Sequence, residues 1–434
     1  MKAVEFQQIN ETLYTETLPN GLTVYLLPKN GFKKTFATFT TKYGSIDRTF
    51  QPLNSAETIT VPDGIAHFLE HKMFEDEEGD VFHTFSKQGA SANAFTSFTN
   101  TAYLFSSTTN VSENVQTLLD FVQKPYFTDE TVEKEKGIIG QEINMYDDNP
   151  DWRNFFGLLN GMYENHPVAV DIAGTVESIN EISKDDLYTC YETFYHPSNM
   201  VLFIVGAVDP DSLIEEIRTN QQEKTFPPAP AIQRQEDFAE PEKVKQRSVE
   251  ISMPVQTPKC LIGVKEASPV LSGKALLQYE LAVELILEIA FGESSPRYQE
   301  LFEEGLIDDS FEFDVEYERG FAFSVFGGES PRPYELAERL KQIALAVRPE
   351  ITQSELNRMK KKKIGEFLKS LNSPEFIATQ FTRYRFNDAE LFDVIPILED
   401  LNLEDVQRVY DEHFRSEEQM TACIVINKEE ENGG

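Results

Sequence analysis

Three side chains within five positions carry the clearest chemistry in the chain. His67, Glu70 and His71 sit in the run Pro-Asp-Gly-Ile-Ala-His-Phe-Leu-Glu-His-Lys-Met-Phe-Glu-Asp-Glu, residues 62–77. Ile65, Phe68, Leu69 and Met73 recur at helical spacing, and Asp63 after Pro62 has the character of an N-cap, so a helix is predicted from Gly64 to about Glu75. At about 100° per residue the two histidines fall about 40° apart, on the side opposite the apolar stripe, with Glu70 beside them. Two imidazoles one turn apart can reach the same tetrahedral Zn²⁺, and an adjacent carboxylate can take a proton from water on that ion. H-x-x-E-H is the inverted zincin order. A solvated helix face with two incidental histidines would read the same over this stretch, so a third ligand is what separates the two readings.

Residues 128–150 offer one. Thr128 or Asp129 can cap a helix running through Ile139 to Tyr146 and ending at Asp147-Asp148-Asn149-Pro150. Glu135, Ile139, Glu142 and Tyr146 share one face of it. Carboxylates interleaved with Ile and Tyr are costly to bury unless a cation meets them. Zinc is such a cation, and Glu135, two turns before Glu142, is spaced to orient a histidine from behind. Taken alone, an acidic helix is usually a solvated one.

Further stretches bear on this choice: Gly-Ala-Ser-Ala-Asn-Ala-Phe-Thr-Ser at 89–97, His166-Pro167, Gly174-Thr175, and Tyr195-His-Pro-Ser-Asn-Met200 leading into the apolar run 201–206. With the H-x-x-E-H run and the downstream pair of Glu residues, they resemble the pitrilysin-type (inverzincin) metallopeptidases. That family includes insulin-degrading enzyme and the mitochondrial processing peptidases, and the resemblance is strongest to its bacterial zinc proteases of about this length. It implies one Zn²⁺ per chain on His67, His71 and Glu142, with Glu70 as general base and Glu135 behind the ligands. It also implies that Asn93, Ala94 and Phe95 lie on a strand edge that binds an extended peptide, the least costly way to hold one. From the residues alone, 93–96 would be an ordinary sheet strand.

One stretch departs from the family. Single-chain relatives place an Arg and, two helical turns on, a Tyr in the second half of the chain, where they bind substrate and stabilise the oxyanion. Here Phe302 falls at the Arg position and Asp308 or Asp309 near the Tyr. A carboxylate cannot stabilise a developing oxyanion. Either a partner supplies the missing pair, in a homodimer or a heterodimer with a related chain as in two-subunit relatives, or another residue substitutes; the first is the expectation.

The elements that must position these residues fall into two similar halves. In the first, residues 12–29 read as a hairpin around Asn20-Gly21, 35–43 as a strand, 113–123, 152–164 and 183–194 as helices, and 200–206 as a buried strand. Residues 220–247, polar and carrying Phe226-Pro-Pro-Ala-Pro, read as an extended connection. The second half opens on strands at 247–253 and 260–266 and a long helix at 274–291. Its ending repeats the first: Asp186-Leu-Tyr-Thr-Cys-Tyr-Glu parallels Asp405-Val-Gln-Arg-Val-Tyr-Asp, and each precedes a Met and an apolar strand. The expected class is therefore α+β, with two tandem homologous α/β sandwich domains, each a mainly antiparallel sheet covered by helices. Residues 1–219 form the metallopeptidase domain, 220–247 the linker, and 248–434 a homologous domain without a metal site.

Charge and composition exclude several functions. A net charge of −35 opposes binding to nucleic acid or anionic membrane; it would draw in a cationic substrate or simply serve solubility. The chain opens without an apolar signal core and contains no run long enough to span a bilayer, which suggests a cytoplasmic protein. Cys190, Cys260 and Cys423 are too scattered for a disulfide framework or a cysteine zinc site. The functional expectation is a zinc metalloendopeptidase acting on short or unfolded peptides held as an added strand. Two alternatives stand beside it: a zinc-stabilised scaffold or processing subunit that does not cut, and a metal hydrolase acting on a non-peptide amide.

Overall fold

The computed structural model describes residues 1–53, 55–77, 79–229, 231–266 and 271–427. Its contacts group into two compact units. One comprises Met1–Ile143, Asp171–Gln235 and Leu368–Phe386; the other comprises Asn144–Val170, Glu236–Phe367 and Asn387–Gly434.

The first unit is built on a seven-stranded sheet: β1 (Lys2–Phe6), β2 (Glu11–Thr17), β3 (Thr23–Pro28), β4 (Thr35–Thr41), β5 (Ala90–Thr96), β6 (Thr101–Ser107) and β7 (Met200–Gly206), in the order β1-β2-β3-β7-β4-β6-β5. β7 is buried along its whole length, as its unbroken apolar sequence requires. It runs parallel to β3 and antiparallel to β4. β5 pairs only with β6, which leaves it at the edge. The helix Pro374–Phe386, contributed from late in the chain, packs on β4 and β7, with Phe381 against Tyr25 and Phe203 at centroid distances of 4.8 and 4.6 Å.

The second unit carries β8 (Ser248–Ser252), β9 (Lys259–Glu266), β10 (Glu312–Glu318), β11 (Phe321–Glu329) and β12 (Met420–Ile426), ordered β8-β12-β9-β11-β10. β8 is parallel to β12 and every other pair is antiparallel. This repeats β3-β7-β4-β6-β5 strand for strand and direction for direction, so the duplication read from 186–192 and 405–411 extends to whole-sheet topology. The class is the expected α+β one, helices with mainly antiparallel sheets.

The linear division of the chain does not carry over to these units. Helix Pro150–Met162, placed by the sequence in the first domain, lies on β8, β9 and β12. Two glycines one turn apart allow the contact: a Cβ on Gly157 would come within 2.6 Å of Ile251 Cδ1, and one on Gly161 within 2.7 Å of Thr421 Cγ2. The connection also has more structure than an extended linker. Gln233–Arg234 pairs with Thr49–Gln51, and the Arg234 guanidinium lies over the Phe194 ring at 5.2 Å while donating to Lys42 O at 3.0 Å. Among the described residues, no helix is long and apolar enough to cross a membrane.

Candidate active site

The short helix Ile65–Lys72 buries Ile65, Ala66, Phe68 and Leu69, which leaves His67, Glu70 and His71 to turn toward its polar side. It is shorter than the sequence suggested and is not capped by Asp63, whose carboxylate goes to Arg48 Nη1 at 2.7 Å. Gly64 takes the N-cap position in the left-handed region, at φ 86°. The entry to the helix is held by a second loop instead. Ser178 Oγ donates to the Asp63 carbonyl at 2.9 Å, and a Cβ on Gly174 would come within 2.6 Å of that same oxygen.

Helix Asp129–Asp147 brings the carboxylates. His67 Nε2 lies 3.8 Å from Glu142 Oε1, and His71 Nε2 lies 3.4 Å from Glu142 Oε2. The ligand atoms of the three side chains all fall within 4.8 Å of one another, the one such group among the described residues. His67 is buried, while His71 and Glu142 are half-buried. Behind them, His71 Nδ1 lies 3.1 Å from Glu135 Oε1, and Glu135 is buried.

This donor set fits a zinc ion. With the Nδ1 proton of His71 given to Glu135, its Nε2 presents a lone pair to a carboxylate that also has only lone pairs to offer, an arrangement that calls for a positive charge between them. Burial and the neighbouring His71 push His67 down to about 4, which keeps it neutral and ligand-ready near pH 7. Burial alone would lower His71 too. The Glu135 hydrogen bond and the charges of Glu70 and Glu142 outweigh it and raise His71 above the usual histidine range, another sign that the cluster favours a cation. Two imidazole nitrogens and one carboxylate oxygen are the protein ligand set of a catalytic zinc site.

Glu70 is buried and uses Oε2 to accept from Thr96 Oγ1 at 2.8 Å. Burial raises its pKa, and the Thr96 hydrogen bond offsets part of that shift. Thr96 ends β5, the strand that also carries Asn93, Ala94 and Phe95. Asn93 is exposed, and the other two are half-buried. The Ala94 N–H is not spent on the ladder with β6; it donates to Asn93 Oδ1 at 2.9 Å, on the open edge.

Family models match this chain in two stretches: "Insulinase (Peptidase family M16)" over residues 59–176 and "Peptidase M16 inactive domain" over 181–363. The zinc protease YmfH of Bacillus subtilis is 58% identical over 428 residues, covering 99% of this chain and 100% of that one. The chain belongs to peptidase family M16. Zinc protease PqqE of Helicobacter pylori is 24% identical over 94% of this M16 chain and 91% of its own length. The crystal structure of an M16-like peptidase from Alicyclobacillus acidocaldarius superposes with a TM-score of 0.92 at 42% identity, covering 98% of this chain and 100% of that one. Relatives across the M16 chain are thus named as zinc proteases. His67, Glu70, His71, Glu135 and Glu142 all lie in the first matched stretch, and the second is the one described as inactive.

The remaining positions singled out in the M16 sequence have other surroundings. Phe302 is 44% exposed and stacks on Tyr298, while Asp308 Oδ1 accepts from the N–H and hydroxyl of Ser310 in a turn. His196 accepts from the Ser198 N–H and reaches Pro227 O. Sequence reading missed the role of Thr96. Its only signal there was a hydroxyl residue at the end of the Asn-Ala-Phe-Thr run, and only packing reveals that it meets Glu70.

Proposed function

We propose that this M16 chain is a zinc-dependent endopeptidase that cuts short or unfolded peptides docked as an added strand along β5. The observation that carries the reading is the convergence of His67, His71 and Glu142 within 4.8 Å, beside a buried Glu70 held by the edge strand. Held by those three side chains, one zinc ion per chain would supply Lewis acidity and bring the pKa of a water on it toward neutrality. Glu70 takes a proton from the attacking water and returns it to the leaving amide nitrogen. Its raised pKa suits a base that must later act as an acid. Glu135 keeps the His71 Nδ1 proton in place and so keeps Nε2 aimed at Glu142. The backbone of Asn93, Ala94 and Phe95 holds the peptide extended and excludes folded substrates.

Neither Phe302 nor Asp308 can stabilise an oxyanion, so the reading includes a partner: a second copy or a related chain that contributes an Arg and a hydroxyl donor. Three buried free thiols are in keeping with a reducing, cytoplasmic setting. A second reading, a zinc-stabilised scaffold that presents peptides uncut, draws on the same two residues.

Wild type and Glu70→Gln, each assayed on a quenched peptide library with metal analysis, decide between them. The expected result is chelator-sensitive cleavage by wild type, and zinc retention with loss of cleavage in the variant. Equal inertness of both, with every related chain of the host supplied, establishes the scaffold.

A further inference from the structure

We infer that Thr96 is a positioning residue: its hydroxyl holds one oxygen of Glu70 so that the other is presented for proton transfer, and it does so from the same strand that docks the peptide. The inference rests on the reading of Glu70 as general base and adds what aims it.

The direction of the hydrogen bond follows from the neighbours. Thr101, paired with Thr96 across β6, sends its proton to Tyr43 O at 2.9 Å and lies 3.4 Å from Thr96 Oγ1. An ionised carboxylate has no proton to give, so Thr96 must be the donor to Glu70 Oε2. Once Oε2 is engaged, Oε1 is the oxygen that can accept from water.

The hydroxyl is also held rigidly. A β-branched side chain has few χ1 choices, and the hairpin that follows Thr96 is clamped on several sides. Ser45 N–H donates to Ser97 O at 3.0 Å and Ile46 N–H to Phe98 O at 3.1 Å. Ser97 Oγ accepts from the N–H groups of Thr99 and Asn100. A Cβ on Gly44 would come within 2.4 Å of Phe98 O, so the loop and the hairpin have no slack between them.

Strand alternation puts Ala94 and Thr96 on one face, and the Ala94 N–H points to the open edge. A peptide that replaces Asn93 Oδ1 on that N–H therefore lies two residues from the group that aims the base. A hydroxyl needed only for folding would leave turnover untouched. One that aims the base shows in turnover and leaves docking alone.

Thr96→Ser and Thr96→Val in the full chain separate these outcomes, read by kcat, KM, zinc content and metal-free crystal structures. Thr96→Val is expected to lose about tenfold to a hundredfold in kcat, with KM within about twofold and zinc content unchanged, while Thr96→Ser stays within about threefold of wild type. In the metal-free crystals Glu70 should keep its rotamer in Thr96→Ser and leave it in Thr96→Val. An unchanged kcat, a loss confined to KM or zinc, or an unmoved Glu70 in Thr96→Val overturns the inference. If Thr96→Val does not fold, Thr96→Ala, which drops the same hydroxyl, is read the same way. If the zinc-loaded wild type cleaves nothing, the base reading fails, while the rotamer comparison still decides whether Thr96 holds Glu70.

Discussion

His71 Nδ1 lies 3.1 Å from Glu135 Oε1, and this contact determines which nitrogen of the ring faces the other ligands. A histidine whose Nδ1 proton is engaged can offer only Nε2, which here lies 3.4 Å from Glu142. Glu135→Ala should therefore weaken zinc binding by about tenfold to a hundredfold. Glu135→Gln, whose amide oxygen can still accept the proton, should lose less. Competition against a chromophoric chelator measures both, and equal affinities for the two variants would show that Glu135 does not orient His71.

Gly174 occupies a left-handed position at φ 74°, where a Cβ would come within 2.6 Å of the Asp63 carbonyl at the start of helix Ile65–Lys72. Gly31 has a similar φ of 83° but meets nothing within 4 Å. Gly31→Ala should therefore cost only its backbone strain, about 1 kcal/mol. Gly174→Ala adds a clash with rigid backbone and should cost about 2 to 4 kcal/mol in all, with loss of zinc affinity as the helix entry shifts. Denaturant melts of the two variants side by side test this, since strain alone would make them equal.

In the second unit Glu240 accepts from the backbone N–H groups of Glu164, Asn165 and His166 and from the buried Lys265 Nζ at 2.5 Å. Burial pushes its carboxyl up, but these donors outweigh burial and hold it below the usual range. Burial lowers Lys265 despite its partner, so the fixed peptide donors are the firmer part of the arrangement. A carboxyl with a depressed folded pKa contributes its full stability above its unfolded value, near 4.3, and loses it as pH falls through the folded one. Glu240→Gln strands Lys265 and should cost about 3 kcal/mol at pH 7. The gap from wild type should narrow below about pH 4. The single tryptophan, Trp152, lies in this unit, so its fluorescence in urea melts reports the difference. A gap that does not vary with pH would count against the pair.

How much of this was legible beforehand depends on whether a feature is local. H-x-x-E-H and the shared face of Glu135 and Glu142 are set by one helical period each, so the residues that cluster as His67, His71 and Glu142 could be read from spacing. The strand β7 announced itself as an unbroken apolar run, and β12 as a mostly apolar one after Met420. The cap was misread because Asp63 has the right chemistry for its own helix but found Arg48, and the loop at Gly174 closed the gap instead. The placement of helix Pro150–Met162 could not be read at all, because its glycines record close packing without naming the sheet they pack on. Thr96 was hidden for the same reason: its partner is 26 residues away in sequence.

The edge at β5 makes a prediction that needs no variant of the protein. Alternate residues of a strand turn their N–H and C=O groups to opposite sides. Ala94 turns its N–H outward, and Asn93 Oδ1 covers it in the absence of a peptide. A peptide docked beside it must likewise turn every second amide toward β5 and the rest toward solvent. Substrates carrying a single N-methyl group, moved along the docked stretch one position at a time, should lose cleavage in an alternating pattern. Methylation of a β5-facing amide should cost about tenfold or more in kcat/KM, the value of a hydrogen bond left unmade together with the steric push on the edge. Methylation of the amides between should cost little. A smooth or patternless response would mean that the peptide is held by its side chains in some other geometry, and β5 would then be a sheet edge without a role in binding.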